Sequence, residues 1–185
     1  MRKEVTIWRV MSKKLLIAGG GIGGMAAALA AARAGWQVQV LERASAFSEV
    51  GAGVQIGPNV TRVLHAWGLQ EALRAVAAFP DALLVRDAAS GAELGYMQLG
   101  ERAQRLYGAP YATIHRADLH QALAAAAQAE SQVQVHAGQA LARHEDQGAA
   151  VQAFSVSQTW QADALIGADG LWSEVRQGLP KDGAP

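Results

Sequence analysis

Cysteine is absent from the 185-residue sequence. Disulfides, thiolate metal sites and a cysteine nucleophile are therefore excluded. Net charge is absent as well, since 16 basic side chains balance 16 acidic ones. No basic face directs the chain to nucleic acid or to an anionic membrane. Apolar runs stay short of the roughly 18 residues that a transmembrane helix needs. The first residues carry Arg2, Lys3, Glu4 and Arg9 with no uninterrupted apolar stretch, so they do not read as a signal peptide. Met11 stands just before the first strand, which marks 1–11 as a dispensable extension. The five histidines show no metal-ligand spacing. Together these absences lead to an expected cytoplasmic location, with no nucleic acid and no membrane as partner. What the chain does have is apolar content: 51% hydrophobic against 17% charged residues, a globular composition with enough length for one good core.

The most informative stretch is Lys14 to Glu42. Leu15, Leu16, Ile17 and Ala18 form a short apolar run, as a buried parallel strand would. Gly19, Gly21 and Gly24 then stand in G-x-G-x-x-G register, with Ile22 and Gly23 inside the motif. From Ile22 to Ala34 only Arg33 is charged and alanine dominates, which predicts a helix lying close on a sheet, ended by Gly35. Val38, Val40 and Leu41 predict a second strand, closed by Glu42, 18 residues after Gly24. Gly19 allows the tight turn, Gly21 lets the backbone approach a pyrophosphate, and Gly24 permits close helix–strand contact. The helix N-terminus offers free N–H groups and a partial positive charge. A carboxylate at Glu42 can accept from an adenosine ribose and disfavours a 2′-phosphate, so FAD or NAD is preferred to NADP. The rival reading is an ordinary βαβ unit whose glycines serve only the turn. Strand, glycines, helix, strand and acid together weigh against it.

Further along, Arg43 to Gly57 reads as a loop, and Pro58 opens a helix running to about Trp67, stopped by Gly68. Leu69 to Phe79 reads as a short helix. Leu83–Asp87 and Glu93–Met97 flank Ala88-Ala89-Ser90-Gly91 as a hairpin. Tyr111 to His115 predicts a strand and Arg116 to Glu130 a helix. Strands are expected around Val133 and Val135, over Val151 to Val156, and over Ala162 to Gly167, with a last helix from Leu171 to Gln177. The fold class is α/β, a mainly parallel sheet with inserted antiparallel hairpins.

Three stretches in combination carry a family resemblance: Gly19–Gly24 with Glu42, then Ile114-His115-Arg116-Ala117-Asp118-Leu119, then Asp163 through Arg176 with Asp169-Gly170 at its centre. With Gly51-Ala52-Gly53-Val54-Gln55-Ile56-Gly57-Pro58-Asn59, the chain resembles the N-terminal portion of a flavin-dependent aromatic hydroxylase. These are single-component FAD monooxygenases of the salicylate hydroxylase and 3-hydroxybenzoate 6-hydroxylase type. The resemblance implies a Rossmann-like FAD-binding domain in which Gly19, Gly21, Ile22, Gly23, Gly24 and Glu42 hold the ADP half of FAD. Arg43 would lie near the adenosine, and Gly53 and Val54 belong to the cofactor-binding set. Arg116 would contact FAD, and Asp169 with Gly170 would meet its hydroxyls, with Ser173 and Arg176 completing that motif. It also implies NADH or NADPH as electron donor and a small aromatic substrate. The flavin supplies the oxygen chemistry, so no side chain is assigned a catalytic role. Two plainer readings stay open: Arg116 as a solvated surface arginine, and Asp169 as the N-cap or turn residue of the following helix.

The resemblance divides the chain into 12–80 and 116–185 as cofactor-binding regions, with 81–115 an inserted hairpin region belonging to the substrate domain. It also implies a truncated chain, because the family's later Gly-Asp motif is missing. Such a fragment is expected to bind FAD weakly, to lack hydroxylation, and to self-associate through uncovered apolar surface. Two alternatives accompany this reading: another FAD oxidoreductase of the same superfamily, such as an epoxidase, and a non-catalytic nucleotide-binding remnant.

Overall fold

The computed structural model describes residues 13–47 and 52–179. The extension expected at 1–11, Gly51 and the tail at 181–185 lie outside the described residues. The elements begin with β1 (Lys14–Ala18), α1 (Ile22–Arg33), β2 (Gln37–Glu42), β3 (Gly53–Ile56), α2 (Pro58–Ala66) and α3 (Gln70–Val76). They continue with β4 (Ala82–Arg86), β5 (Glu93–Gln98), α4 (Gly100–Tyr107), β6 (Ala112–His115) and α5 (Arg116–Ala129). The last are β7 (Val133–Ala137), β8 (Arg143–Asp146), β9 (Val151–Phe154), β10 (Thr159–Ala162), β11 (Ala164–Gly167) and α6 (Glu174–Gln177). The described residues fall into two compact units, one of 13–47 with 127–179 and one of 52–126.

The first unit is built on a four-stranded parallel sheet in the order β11-β1-β2-β7. Side chains alternate across a strand with a period of two, so each face draws on every second residue. Leu16 and Leu41 join Val151, Ala153 and Ala162 in one buried cluster, so this face is covered by the antiparallel sheet β10-β9-β8. Trp160, Leu141 and Leu165 pack at its margin. Ile17, Val38 and Val40 are wholly buried on the other face, which is left to α1. That helix buries Gly24, Met25, Ala28, Leu29 and Ala32. Its small side chains let it lie close to β1 and β2, and each large buried side chain contributes about 1.5–3 kcal/mol.

The second unit pairs β3 with β6 and β4 with β5, both antiparallel. Thr61, fully buried on α2, donates from Oγ1 to Pro110 O at 2.6 Å and so ties that helix to the segment entering β6.

Several expectations need correction. The loop expected over Arg43 to Gly57 contains β3, because Val54 and Ile56 find partners in Ile114 and Ala112 on a distant strand. The single strand expected over Ala162 to Gly167 is broken at Asp163, where the chain passes from the antiparallel to the parallel sheet. Asp163 Oδ2 accepts from Lys14 N at 2.6 Å, and its N–H donates to Lys14 O at 3.0 Å, pinning the junction to the start of β1. The strand expected to reach Val156 stops at Phe154, and Val156 is 99% exposed in the turn that follows. The last helix spans only Glu174–Gln177, leaving Leu171 and Trp172 exposed before it.

One half-buried histidine gives the first unit a pH dependence. His136 on β7 donates from Nε2 to Gln39 Oε1 on β2 and packs against the Trp160 ring, with centroids 5.6 Å apart. Burial lowers its pKa from the ordinary 6.5. The unfolded chain therefore takes up this proton first on acidification, and stability falls as pH drops below about 6.5. Above that value the imidazole is neutral in both states and contributes no slope. The midpoint of thermal unfolding should fall between about pH 7.5 and pH 5.5, and His136→Gln should flatten that fall. Equal slopes for the two proteins would show that burial of this ring is inconsequential.

Candidate functional site

The glycine motif forms the turn between β1 and α1 at the C-terminal edge of the parallel sheet. Gly19 has φ 99°, a left-handed conformation that side chains other than glycine rarely take. Its N–H donates to Leu41 O at 2.8 Å, which ties the turn to β2. A Cβ built on Gly19 would stand 2.3 Å from Ala168 O and 2.9 Å from Asp169 N. The turn and the Ala168-Asp169 segment after β11 are thus pressed backbone to backbone. A Cβ on Gly24 would stand 1.9 Å from Gly19 O, so α1 can begin this close to the turn only with glycine there.

Gly21 and Gly23 behave differently. A Cβ on either would meet nothing within 4 Å. Internal packing does not require these two glycines, and the space they leave faces the start of α1. Gly21 is the N-cap, no side chain caps the helix, and its first turn holds no acidic residue. The N-terminal N–H groups and the positive end of the helix dipole are therefore available to an anion.

Glu42 closes β2 beside this turn. Its Oε2 accepts from Gly20 N at 2.6 Å and its Oε1 from Ala44 N at 2.8 Å. The carboxylate is held by two backbone donors, and each oxygen keeps a second lone pair for another hydroxyl. Arg43 follows, exposed to solvent. The sequence reading passed over two residues here. Gly20 is buried, and a Cβ on it would stand 2.8 Å from the Phe47 ring and 3.0 Å from Glu42 Oε2. The run of three glycines from 19 to 21 was the available signal, although only its outer members fit the motif.

Asp169 lies just beyond β11, at the same edge of the sheet. Its Oδ1 accepts from Ser173 Oγ at 2.6 Å and its Oδ2 from Val175 N at 3.2 Å. Ser173 Oγ in turn accepts from Arg176 N at 3.0 Å as the N-cap of α6. The turn-residue role left open for Asp169 is therefore occupied, while its backbone N abuts the glycine turn. Gly170 has φ 81°, and Arg176 Nη2 donates to Leu171 O at 3.0 Å, closing the turn around it.

The remaining expected residues lie in the second unit. Gly53 pairs with His115 and Val54 with Ile114 at one end of the β3–β6 ladder. Arg116 follows His115 directly, and its N–H donates to Ala52 O at 3.3 Å. Gly53, Val54 and Arg116 are thus brought together, although they lie over 60 residues apart in the chain. His115 Nδ1 accepts from Ala117 N at 3.4 Å, which places the imidazole at the start of α5. Among the described residues no cluster of three or more potential metal ligands occurs, and no helix is long and apolar enough to cross a membrane.

Comparison with known proteins agrees with this geometry. The family model described as an FAD binding domain matches residues 12–184. The chain is 40% identical over 171 residues to a 3-hydroxybenzoate 6-hydroxylase of Polaromonas naphthalenivorans (strain CJ2), covering 92% of this chain and 43% of that protein. It is 37% identical over 167 residues to a 6-hydroxynicotinate 3-monooxygenase of Bordetella bronchiseptica, covering 90% of this chain and 43% of that protein. The tetrameric form of 2-methyl-3-hydroxypyridine-5-carboxylic acid oxygenase superposes with a TM-score of 0.76 at 25% identity, over 90% of this chain and 42% of that one. The chain thus spans less than half the length of the curated relatives it matches.

Proposed function

The chain belongs to the FAD-binding domain family, and from that premise we propose that it is the FAD-holding part of an NAD(P)H-dependent flavoprotein monooxygenase that hydroxylates an aromatic substrate. The observation that carries the reading is the uncapped, positively polarised start of α1 next to a carboxylate oriented by two backbone N–H groups. The first suits a pyrophosphate and the second a ribose hydroxyl. Gly19 and Gly24 shape the turn, while Gly21, Ile22 and Gly23 present backbone to the phosphates. Glu42 accepts from the ribose, with Arg43 beside the adenosine. Gly53, Val54 and Arg116 offer backbone and a permanently charged guanidinium to the same cofactor. Asp169 and Gly170 keep the neighbouring loop close to it. The bound flavin would supply redox and oxygen-transfer chemistry, and the residues named here bind and orient it. The electron donor is a nicotinamide nucleotide, the substrate a small aromatic ring, and the compartment the cytoplasm.

A melting scan with and without cofactor tests this. FAD at about 100 times its dissociation constant should stabilise the fold by about 2.7 kcal/mol. For a chain of this size that corresponds to a rise of about 5–10 °C in the midpoint. NAD at the same concentration should leave it unchanged. A midpoint indifferent to FAD would remove the proposal.

The β4–β5 hairpin supports a second part of the reading, self-association of this chain. Leu83, Leu84, Val85, Leu94, Tyr96 and Met97 are all exposed on it, so apolar side chains reach solvent from both strands. Leu84, Leu94 and Tyr96 share one face of the hairpin, and exposed apolar surface of this kind favours association with another copy. Light scattering across a concentration series should show a mass that grows with concentration, and Leu84→Lys with Tyr96→Lys should suppress that growth. A constant monomer mass would end this part of the proposal.

A further inference from the structure

Phe47 stands in the loop that leaves β2, five residues beyond Glu42. That loop is pinned at Ala44, whose N–H donates to Glu42 Oε1 at 2.8 Å and whose carbonyl accepts from Gly138 N at 2.9 Å. It then returns over the glycine turn and lays the Phe47 ring on Gly20. A Cβ on Gly20 would stand 2.8 Å from Phe47 Cε1, 3.0 Å from Glu42 Oε2 and 3.2 Å from Glu42 Cβ. The three atoms converge on one point, so the ring and the carboxylate lie side by side on the same side of Gly20. Only a residue without a side chain leaves room there for both.

Contact with Gly20 does not bury this ring. Phe47 remains 38% exposed, and a phenylalanine left with that much surface in water gains only part of what its burial could give. The uncovered surface lies next to a carboxylate that keeps lone pairs for a hydroxyl. In a nucleoside the base is carried on C1′ and the neighbouring C2′ carries a hydroxyl. A group that accepts from the ribose therefore has the base within a few bonds of it.

We propose that Phe47 is a further cofactor-binding residue, holding the adenine base by stacking while Glu42 takes the ribose and the start of α1 the pyrophosphate. The assignment rests on the reading of this site as FAD-binding. The ring supplies what neither the carboxylate nor the backbone N–H groups can, a flat apolar face for a flat base. Gly20 and the Ala44 anchor place that face in advance, so little side-chain freedom is lost when the base arrives. The run of three glycines thereby gains a role for its middle member, which the dinucleotide motif leaves unassigned: Gly20 seats the ring.

Two ligands titrated into the 185-residue chain test the contact, FAD followed by flavin fluorescence and ADP followed by calorimetry. Phe47→Ala should weaken both by the same factor, about tenfold, the scale of one aromatic–base stack. Phe47→Leu, which still covers Gly20 but has no flat face, should weaken both at least about threefold. Phe47→Tyr keeps the face and should bind both ligands as the parent does. The urea midpoints of the leucine and tyrosine variants should stay close to that of the parent, so that binding is compared between equally folded chains. Unchanged affinity in Phe47→Ala, a loss confined to FAD with ADP unaffected, or failure of tyrosine to preserve binding overturns the proposal. A loss in Phe47→Leu that comes with a fallen midpoint also overturns it, since the ring would then be packing for the turn. A parent chain that binds neither ligand removes the cofactor reading and this contact with it, whereas FAD binding intact in Phe47→Ala rejects the contact alone.

Discussion

Alanine at position 24 should cost the fold about 3 kcal/mol, the upper end of what overpacking costs in well-packed proteins. The added methyl would sit 1.9 Å from Gly19 O, a backbone atom with nowhere to go. Gly19 is held on one side by its hydrogen bond to Leu41 and pressed on the other against Ala168. Relief would need α1 to slide outwards, uncovering Met25 and Leu29, both fully buried. Against a typical total stability of about 5–15 kcal/mol, this loss is large. The urea midpoint of Gly24→Ala against the parent protein measures it. The contrasting variant is Gly21→Ala, whose Cβ meets nothing within 4 Å. Its effect on the fold should stay within about 1 kcal/mol, the scale of an N-cap change. Its effect on FAD should be a loss of about tenfold or more in affinity, because the methyl points into the space assigned to the pyrophosphate. An unshifted midpoint in Gly24→Ala would refute the packing role, and unaltered FAD affinity in Gly21→Ala would refute the cofactor role. The two glycines thus separate what the motif does for the fold from what it does for the ligand.

The parts of the structure that could be read from the sequence are those whose cause is local. β1, α1 and β2 each carry their own pattern, an apolar run, a small-residue helix and an alternating strand, and glycine marks the joints. The β4–β5 hairpin was legible for the same reason, from two apolar runs around Ser90-Gly91. β3 was not, because four residues with glycine at their head show no strand signal until β6 supplies the partner. The helix α4 was missed as well. It opens at Gly100 without a side-chain cap, and although Ala103, Leu106 and Tyr107 stand at helical spacing, the segment is only eight residues long and mostly polar, so the stripe is too short to stand out. Gly108, left-handed at φ 70°, marks where the helix ends. β8 and β10 owe their existence to pairing with β9 and to the cluster around Ala153, again a tertiary cause. Within the site, the sequence indicated which residues to examine but not how they are engaged. Nothing in the spacing announces that Glu42 already accepts from Gly20 and Ala44, or that Asp169 already accepts from Ser173 and Val175.

Those existing bonds make Glu42 the second decisive position. Glu42→Ala removes the acceptor of two backbone N–H groups, one of them on buried Gly20, and leaves that donor without its carboxylate. Loss of a partner to a buried donor costs about 1–3 kcal/mol, so the urea midpoint should fall by an amount equivalent to about 2 kcal/mol. Glu42→Gln keeps one carbonyl oxygen as acceptor and replaces the other by a donor, so it should cost about half as much. Cofactor affinity then discriminates between two physical pictures. If the lone pairs left on Oε1 and Oε2 accept from a ribose, both variants lose FAD affinity by about tenfold or more, even where the fold is intact. If the carboxylate serves only to brace the turn, Glu42→Gln at a temperature where it is fully folded should bind FAD as the parent does. Titration of flavin fluorescence against each folded variant distinguishes these outcomes. The expected result is the first, because a carboxylate held by its own backbone is already oriented and loses no side-chain freedom when the ribose arrives.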